Sequence, residues 1–258
     1  MAGEPVSVWT RPERGRRGPA PGRSRAQITA TAVELADADG LAAVSMRQVA
    51  RRLDTGPASL YRYVAAREDL IDLMADAVTA EIDLTVTPSG DWTNDLVALA
   101  AQAKAVYLRH PWLLDVMAQY TPLGPASIDY LEHALTLLDP APASSRAKLE
   151  AIGILGGLVT LFARNELNAR SAGASPDERQ RAQTAYLGEV AAAGKHPRLL
   201  AAMTSAAGAA AAAADASAGV DTGGGGGGGG AKDADSWGDG VFERTLRRVL
   251  AGLLAPGE

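Results

Sequence analysis

At Asp54-Thr55-Gly56-Pro57 no helix can run on. Pro57 has no amide proton to donate and biases Gly56 away from the α region, whereas its fixed φ suits the first turn of a helix that follows. The chain must turn here, and the residues on both sides read as helical. Upstream, Ser45-Met46-Arg47-Gln48 is a capping box, in which the serine hydroxyl accepts from the backbone N–H three residues on, and Val49, Ala50 and Leu53 follow on one side. Downstream, Leu60 and Val64 are spaced to point inward. A longer helix precedes the pair: Ser24-Arg25-Ala26-Gln27 is a second capping box, Ile28, Ala32, Leu35 and Ala36 continue at helical spacing, and Gly40 ends the run. A fourth helix is expected over about residues 67–84, with Leu70, Ile71, Leu73, Met74, Ala77 and Val78 as its stripe.

Two short helices about a tight turn, behind a longer one, form the layout of a helix-turn-helix DNA reader, whose second short helix enters the major groove with its N-terminal end leading. Small residues at that end, Gly56, Pro57, Ala58 and Ser59, let the backbone approach base edges and phosphates. Hydroxyls on Thr55, Ser59, Tyr61 and Tyr63 can donate to phosphate oxygens, and Arg62 and Arg67 add Coulombic attraction. Tyr61 is equally compatible with a partly buried aromatic, and Arg47, Arg51 and Arg52 with a solvated helix face.

Charge is distributed to match. Residues 1–67 carry eleven arginines and no lysine against six acidic residues, a balance of +5, while the remainder has 14 basic against 24 acidic residues, a balance of −10. The first quarter can approach a polyanion and the rest is repelled by one. Residues 1–23 are rich in Pro, Gly and Arg and are expected to form a disordered basic arm, with Arg16, Arg17 and Arg23 placed to reach a minor groove.

The stretch SMRQVARRLDTGPASLYRYVAAREDLIDLMAD, residues 45–76, resembles the N-terminal domain of the TetR family of transcriptional repressors, most specifically in LYRYV (60–64) followed by REDL (67–70). The resemblance covers residues 24–84 and implies that Tyr61, Tyr63 and Arg67 touch phosphate, that Pro57, Ala58 and Ser59 face bases, and that Arg47 reaches guanine, for whose O6 and N7 a guanidinium is suited. Asp54 departs from the family's usual glycine; aspartate tolerates the left-handed conformation better than most residues.

Beyond residue 85 the sequence reads as helical again, over about 92–109, 111–119, 125–138 and 145–168, then from Ser175-Pro176-Asp177-Glu178 until near Gly194. Residues 201–232 include eight consecutive glycines and are expected to be a flexible Ala/Gly loop. Phe242, Leu246, Val249, Leu250 and Leu253 mark a last amphipathic helix that needs a partner surface. The stretches RHPWLL (109–114) and PLGP (122–125) are similar to a C-terminal domain of the same family, which implies a ligand-binding domain that dimerises by pairing two helices per subunit, here about 145–168 and 238–254. Gly153 and Gly157 could permit close helix approach or make room for a neighbour or ligand. Candidate pocket walls are Trp112, Met117, Tyr120, Leu158, Leu161 and Phe162, and candidate polar points are Tyr107, His110, His133, Asn165 and Glu166. Where tetracycline-binding members hold a magnesium–drug chelate with histidines and a threonine, this chain has Asp83, Met117 and Tyr120, so a different, apolar or aromatic, molecule is expected.

The expected architecture is all-α: the basic arm 1–23, a helix-turn-helix DNA-binding domain 24–70, and a helical ligand-binding and dimerisation domain 71–258. With 5% aromatic residues, Ala and Leu in abundance and few β-branched runs, the apolar 47% of the chain favours helix over sheet. There is no cysteine, in agreement with a reducing cytoplasm. The most apolar run, residues 151–163, is short of the roughly 20 residues a membrane span needs, and no secretory signal is read at the N-terminus. Neither H-E-x-x-H nor G-x-S-x-G occurs, the three histidines lie in separate segments, and the glycine run lacks the Lys-Ser/Thr of a phosphate loop, so no enzyme, metal or cofactor is expected. Two readings remain: a homodimeric regulator of a palindromic double-stranded DNA operator released by a small molecule, or a helix-turn-helix protein governed by a protein partner or acting constitutively.

Overall fold

The structure, a computed structural model, describes residues 7–10, 24–171, 178–202, 204–205 and 239–254. Among them every regular element is helical. The chain divides into two compact units, Met1–Leu167 with Asp239–Glu258, and Asn168–Gly238.

In the first unit, α1 (Arg25–Asp39) starts as the capping box predicts: Ser24 lies in the extended region and its hydroxyl accepts from the Gln27 N–H at 3.1 Å. Gly40, at φ +80°, ends it, a backbone that a side chain strains to adopt. α2 (Met46–Arg52) repeats the device, with Ser45 accepting from the Gln48 N–H at 3.2 Å. Its end is a Schellman arrangement: the Thr55 N–H reaches the Ala50 carbonyl at 2.9 Å and the Asp54 N–H reaches that of Arg51 at 3.2 Å, with Asp54 left-handed at φ 48°. Aspartate therefore fills the place of the expected glycine without altering the turn. Pro57 opens α3 (Pro57–Leu60). This helix is a single turn, and it tightens at its end, where the Tyr63 N–H bonds the Leu60 carbonyl three residues back. Leu60 and Val64 are fully buried, and pin the segment to the hydrophobic core.

α4 (Arg67–Thr79) joins this head to the body of the unit, packing on α1 and also on α5 (Trp92–Arg109), α6 (Trp112–Met117) and α7 (Pro125–Leu137). It ends short of residue 84, in a turn that buries Ile82. α5 is capped by Asp91, and the buried Asp95 carboxylate accepts from both the N–H and the hydroxyl of Ser89 at 2.8 and 2.7 Å. α7 takes its cap from another helix: Asp76 of α4 accepts from the Ala126 N–H at 2.9 Å. Burial raises the Asp76 carboxyl above its ordinary pKa, although the N–H groups of Ala126 and Ser127 pull it down. A Cβ on Gly124 would collide with that carboxylate and with the Trp9 ring, so glycine is required there.

α8 (Ser145–Ser171) is the longest described helix, and α10 (Asp239–Leu253) packs on α5. Phe162 and Phe242 meet edge to face at 5.2 Å between centroids, with the Lys104 ammonium over Phe242 and 3.2 Å from the Glu166 carboxylate. The N-terminal expectation is corrected in part. Ser7–Thr10 form a turn in which Val8 is 2% exposed and Trp9 packs on the core, because two apolar side chains reach a surface able to bury them. The rest of the basic arm, Arg16, Arg17 and Arg23 included, lies outside the described residues.

The second unit holds α9 (Glu178–Ala192), which ends at Gly194 with φ +63°, and a helical stretch over 197–202. Ser175-Pro176-Asp177 lies outside the described residues, as does most of the expected loop 201–232; residues 201, 202, 204 and 205 are helical.

Candidate nucleic-acid interface and ligand cavity

Head and body differ in what they do with their polar groups. On the head, the face formed by α2, the turn and α3 points polar side chains outward. Arg47, Gly56, Pro57, Ala58 and Arg62 are exposed, Tyr61 is 54% exposed, and Thr55 and Ser59 are half-buried. Arg47, Arg62 and the Tyr61 hydroxyl have no hydrogen-bond or ion-pair partner among the described residues, which leaves their donors available to phosphate and base edges. Tyr63 is half-buried and packs its ring on the core; its carbonyl accepts from Arg25 Nε at 3.3 Å.

Arg67, half-buried, donates from Nε to the Val44 carbonyl at 2.9 Å and from Nη2 to the Leu41 carbonyl at 3.1 Å, so the guanidinium also holds the segment entering α2. The acceptors lie 23 and 26 residues upstream, beyond the reach of local pattern reading.

In the body, a cavity of about 400 Å³ lies between the ends of α4, α5 and α6, the 121–123 connection, α7 and α8. Tyr107 and Met117 of the expected ligand residues line it. So do Thr79, Ile82, Tyr130 and Thr160, with Gly153, Gly156 and Gly157; of these seven, only Gly153 and Gly157 stand out in the sequence as residues that could make room for a ligand. No charged side chain is among the lining residues. Burial pushes the Tyr107 phenol up to about 12, and burial together with the nearby Tyr107 pushes that of Tyr130 up, so both stay protonated donors.

The other expected ligand residues stand elsewhere. Phe162 is buried against Phe242, Leu158 and Asn165 lie on α8 outside the lining, and the Tyr120 hydroxyl donates to Asp72 at 2.8 Å. His110 and Trp112 form a latch between head and body. His110, 6% exposed, sets Nδ1 2.7 Å from Asp37 Oδ1 on α1 and Nε2 3.2 Å from Glu81 Oε2 just past α4. The Trp112 indole N–H donates to the same Asp37 oxygen at 2.7 Å, and Arg109 Nη2 to Glu81 at 2.7 Å. Burial works against the Glu81 charge but is outweighed by the hydrogen bonds and charges of Arg109 and His110, which lower its pKa. Asp37 is 73 residues from His110, which is why the histidine reads in sequence as a free polar point.

No described helix is long and apolar enough to cross a membrane. Residues 28–74 match "Bacterial regulatory proteins, tetR family" and residues 84–217 match "Tetracyclin repressor-like, C-terminal domain". The chain is 38% identical over 195 residues to the HTH-type transcriptional repressor DrrR1 of Streptomyces coeruleorubidus, covering 74% of this chain and 72% of that protein. An HTH-type transcriptional regulator of Saccharopolyspora erythraea is 36% identical over 151 residues, 58% of this chain and 63% of its own. Among solved structures, apo ActR from Streptomyces coelicolor superposes with a TM-score of 0.69 at 26% identity, covering 92% of this chain and 98% of ActR. ActR in complex with actinorhodin gives 0.68 at 27%, covering 93% and 100%. The chain belongs to the tetR family of bacterial regulatory proteins, as a helix-turn-helix regulator of transcription with a tetracyclin repressor-like C-terminal domain.

Proposed function

We propose that the protein is a repressor that binds a palindromic operator as a homodimer and is released when a small molecule occupies the body cavity. The observation that carries this reading is the pairing, in one compact unit, of an outward face with unpartnered Arg47, Arg62 and Tyr61 and an uncharged cavity of ligand size. The repressor name of the relative DrrR1 and the ligand-bound state of ActR support it. Exposed apolar side chains on the two expected bundle helices, Ile154 and Leu161 at 45% and 47% on α8 and Leu253 at 37% on α10, support a dimer that would cover them. Two heads then present α3 about 34 Å apart, one turn of DNA. The protein acts where that DNA is, in the cytoplasm, and no catalytic role is assigned to any residue.

Release runs through α4 and the latch. Thr79 and Ile82 line the cavity at and just past the end of α4, Ile82 directly following Glu81, and Tyr107 lines it three residues before His110. A ligand that displaces these walls therefore bears on both carboxylates held by His110, one of them on α1 of the head. It shifts the equilibrium only by its preference for the released state; a coupling of about 1–3 kcal/mol corresponds to a roughly 5- to 150-fold loss of DNA affinity. The test is fluorescence anisotropy of the full chain on DNA fragments it enriches from a random pool, repeated with a panel of small molecules. Sequence-selective binding that a panel member weakens supports the reading. Selective binding that no small molecule alters points instead to a protein-governed or constitutive regulator.

A further inference from the structure

The body cavity has a wall made of glycine. Gly153, Gly156 and Gly157 of α8 line it, and a Cβ added to any of them would meet no heavy atom within 4 Å. Packing within the chain thus does not demand glycine at these positions, and glycine inside a helix is otherwise unfavourable. What the three residues provide is a stretch of bare helix backbone facing the cavity.

The donors are as selective as the wall. The Thr79 hydroxyl donates to the Ala75 carbonyl at 2.7 Å, that of Thr160 to Gly156 at 2.9 Å and that of Ser127 to Pro122 at 3.2 Å, so these three offer a ligand only lone pairs. Tyr107, 9% exposed, lines the cavity with a hydroxyl that has no hydrogen-bond partner among the described residues. Tyr130 lines the same space. That hydroxyl of Tyr107 opens on the cavity, so a ligand that displaces solvent from it has to supply the acceptor in its place. With no charged lining residue, an ionic ligand would lose its hydration without compensation.

We infer that the cavity takes an uncharged, planar, fused-ring molecule bearing a carbonyl oxygen, its ring face against the backbone of Gly153, Gly156 and Gly157 and its oxygen accepting from Tyr107. The inference rests on the cavity being the inducer site. Its test measures binding of 1,8-dihydroxyanthraquinone to the full chain by quenching of intrinsic fluorescence, beside ethidium as a planar cation and progesterone as a neutral, non-planar ketone. The anthraquinone should bind at least tenfold more tightly than either. Gly156→Ala should weaken it at least tenfold with a melting temperature unchanged or raised and sedimentation unchanged, and Tyr107→Phe should weaken it severalfold.

Equal or tighter binding of ethidium or progesterone, no binding of the anthraquinone to the wild-type chain, or a Gly156→Ala protein that binds as well as wild type overturns the inference. So does a Gly156→Ala protein whose sedimentation changes, since the glycine then serves a subunit contact. Should the variant fail to fold, the three-ligand comparison on the wild-type chain still decides. Release of operator DNA is scored with the same compounds: release by progesterone or ethidium keeps the inducer reading and rejects the ligand class.

Discussion

The recognition face and the cavity wall both leave donors unspent, in opposite surroundings. On the head, Arg47 and Arg62 are exposed and charged, so a polyanion attracts them at a distance and salt weakens the attraction. In the body, Tyr107 is buried and neutral, so under the proposed reading a partner is chosen there by shape and by one matched oxygen. The two surfaces thus suit chemically opposite partners, and neither favours the partner proposed for the other.

The contrast breaks most visibly if the recognition face is unseated. Leu60→Ala, at a fully buried position, should cost about 2–5 kcal/mol by urea denaturation and abolish operator binding. A loss below about 1 kcal/mol, the scale of a surface change, would mean that α3 is not held by this contact. Next come two arginines that look alike in sequence. Arg67→Ala should cost about 1–3 kcal/mol of stability by orphaning the Val44 carbonyl and removing one of the two donors to that of Leu41. Arg62→Ala should leave stability within about 0.5 kcal/mol and reduce the magnitude of the salt slope of DNA binding by about one. Exchange of those outcomes would make Arg67 the phosphate contact and Arg62 the structural residue.

Smaller effects are expected at the latch. Asp37→Asn and His110→Gln, singly and together, should preserve DNA binding and reduce ligand-driven release, with a coupling between them of about 0.5–3 kcal/mol in a double-mutant cycle. Additive effects would remove the latch from the release path. The smallest effect concerns pH. Because the Glu81 pKa is lowered in the folded protein, its contribution is present above the ordinary carboxylate pKa and is lost as pH falls through the folded value. Solvent screening keeps it below about 1 kcal/mol, and Glu81→Gln should flatten that acid limb of a stability profile.

Local chemistry is legible in the sequence, and long-range chemistry is not. Both capping boxes, the left-handed Asp54 and the proline start of α3 depend on residues within a few positions of one another, and all appear where the pattern puts them. Arg67, His110 and Trp112 look solvent- or ligand-facing in sequence because their acceptors lie far away along the chain. Tyr130 has no local mark. The three glycines do carry a signal, their recurrence within one apolar helix, but that signal is shared by close helix packing and by a cavity wall. Composition alone assigns Val8 and Trp9 to the basic arm, although two apolar residues amid arginines are the part of it with something to bury.

The central claim, that two heads read one operator together, is tested most directly by hydroxyl-radical footprinting of the full chain on the DNA it enriches from a random pool. Two protected half-sites are expected, related as an inverted repeat and centred about 34 Å apart. A single unrepeated footprint, or protection without sequence preference, would contradict it.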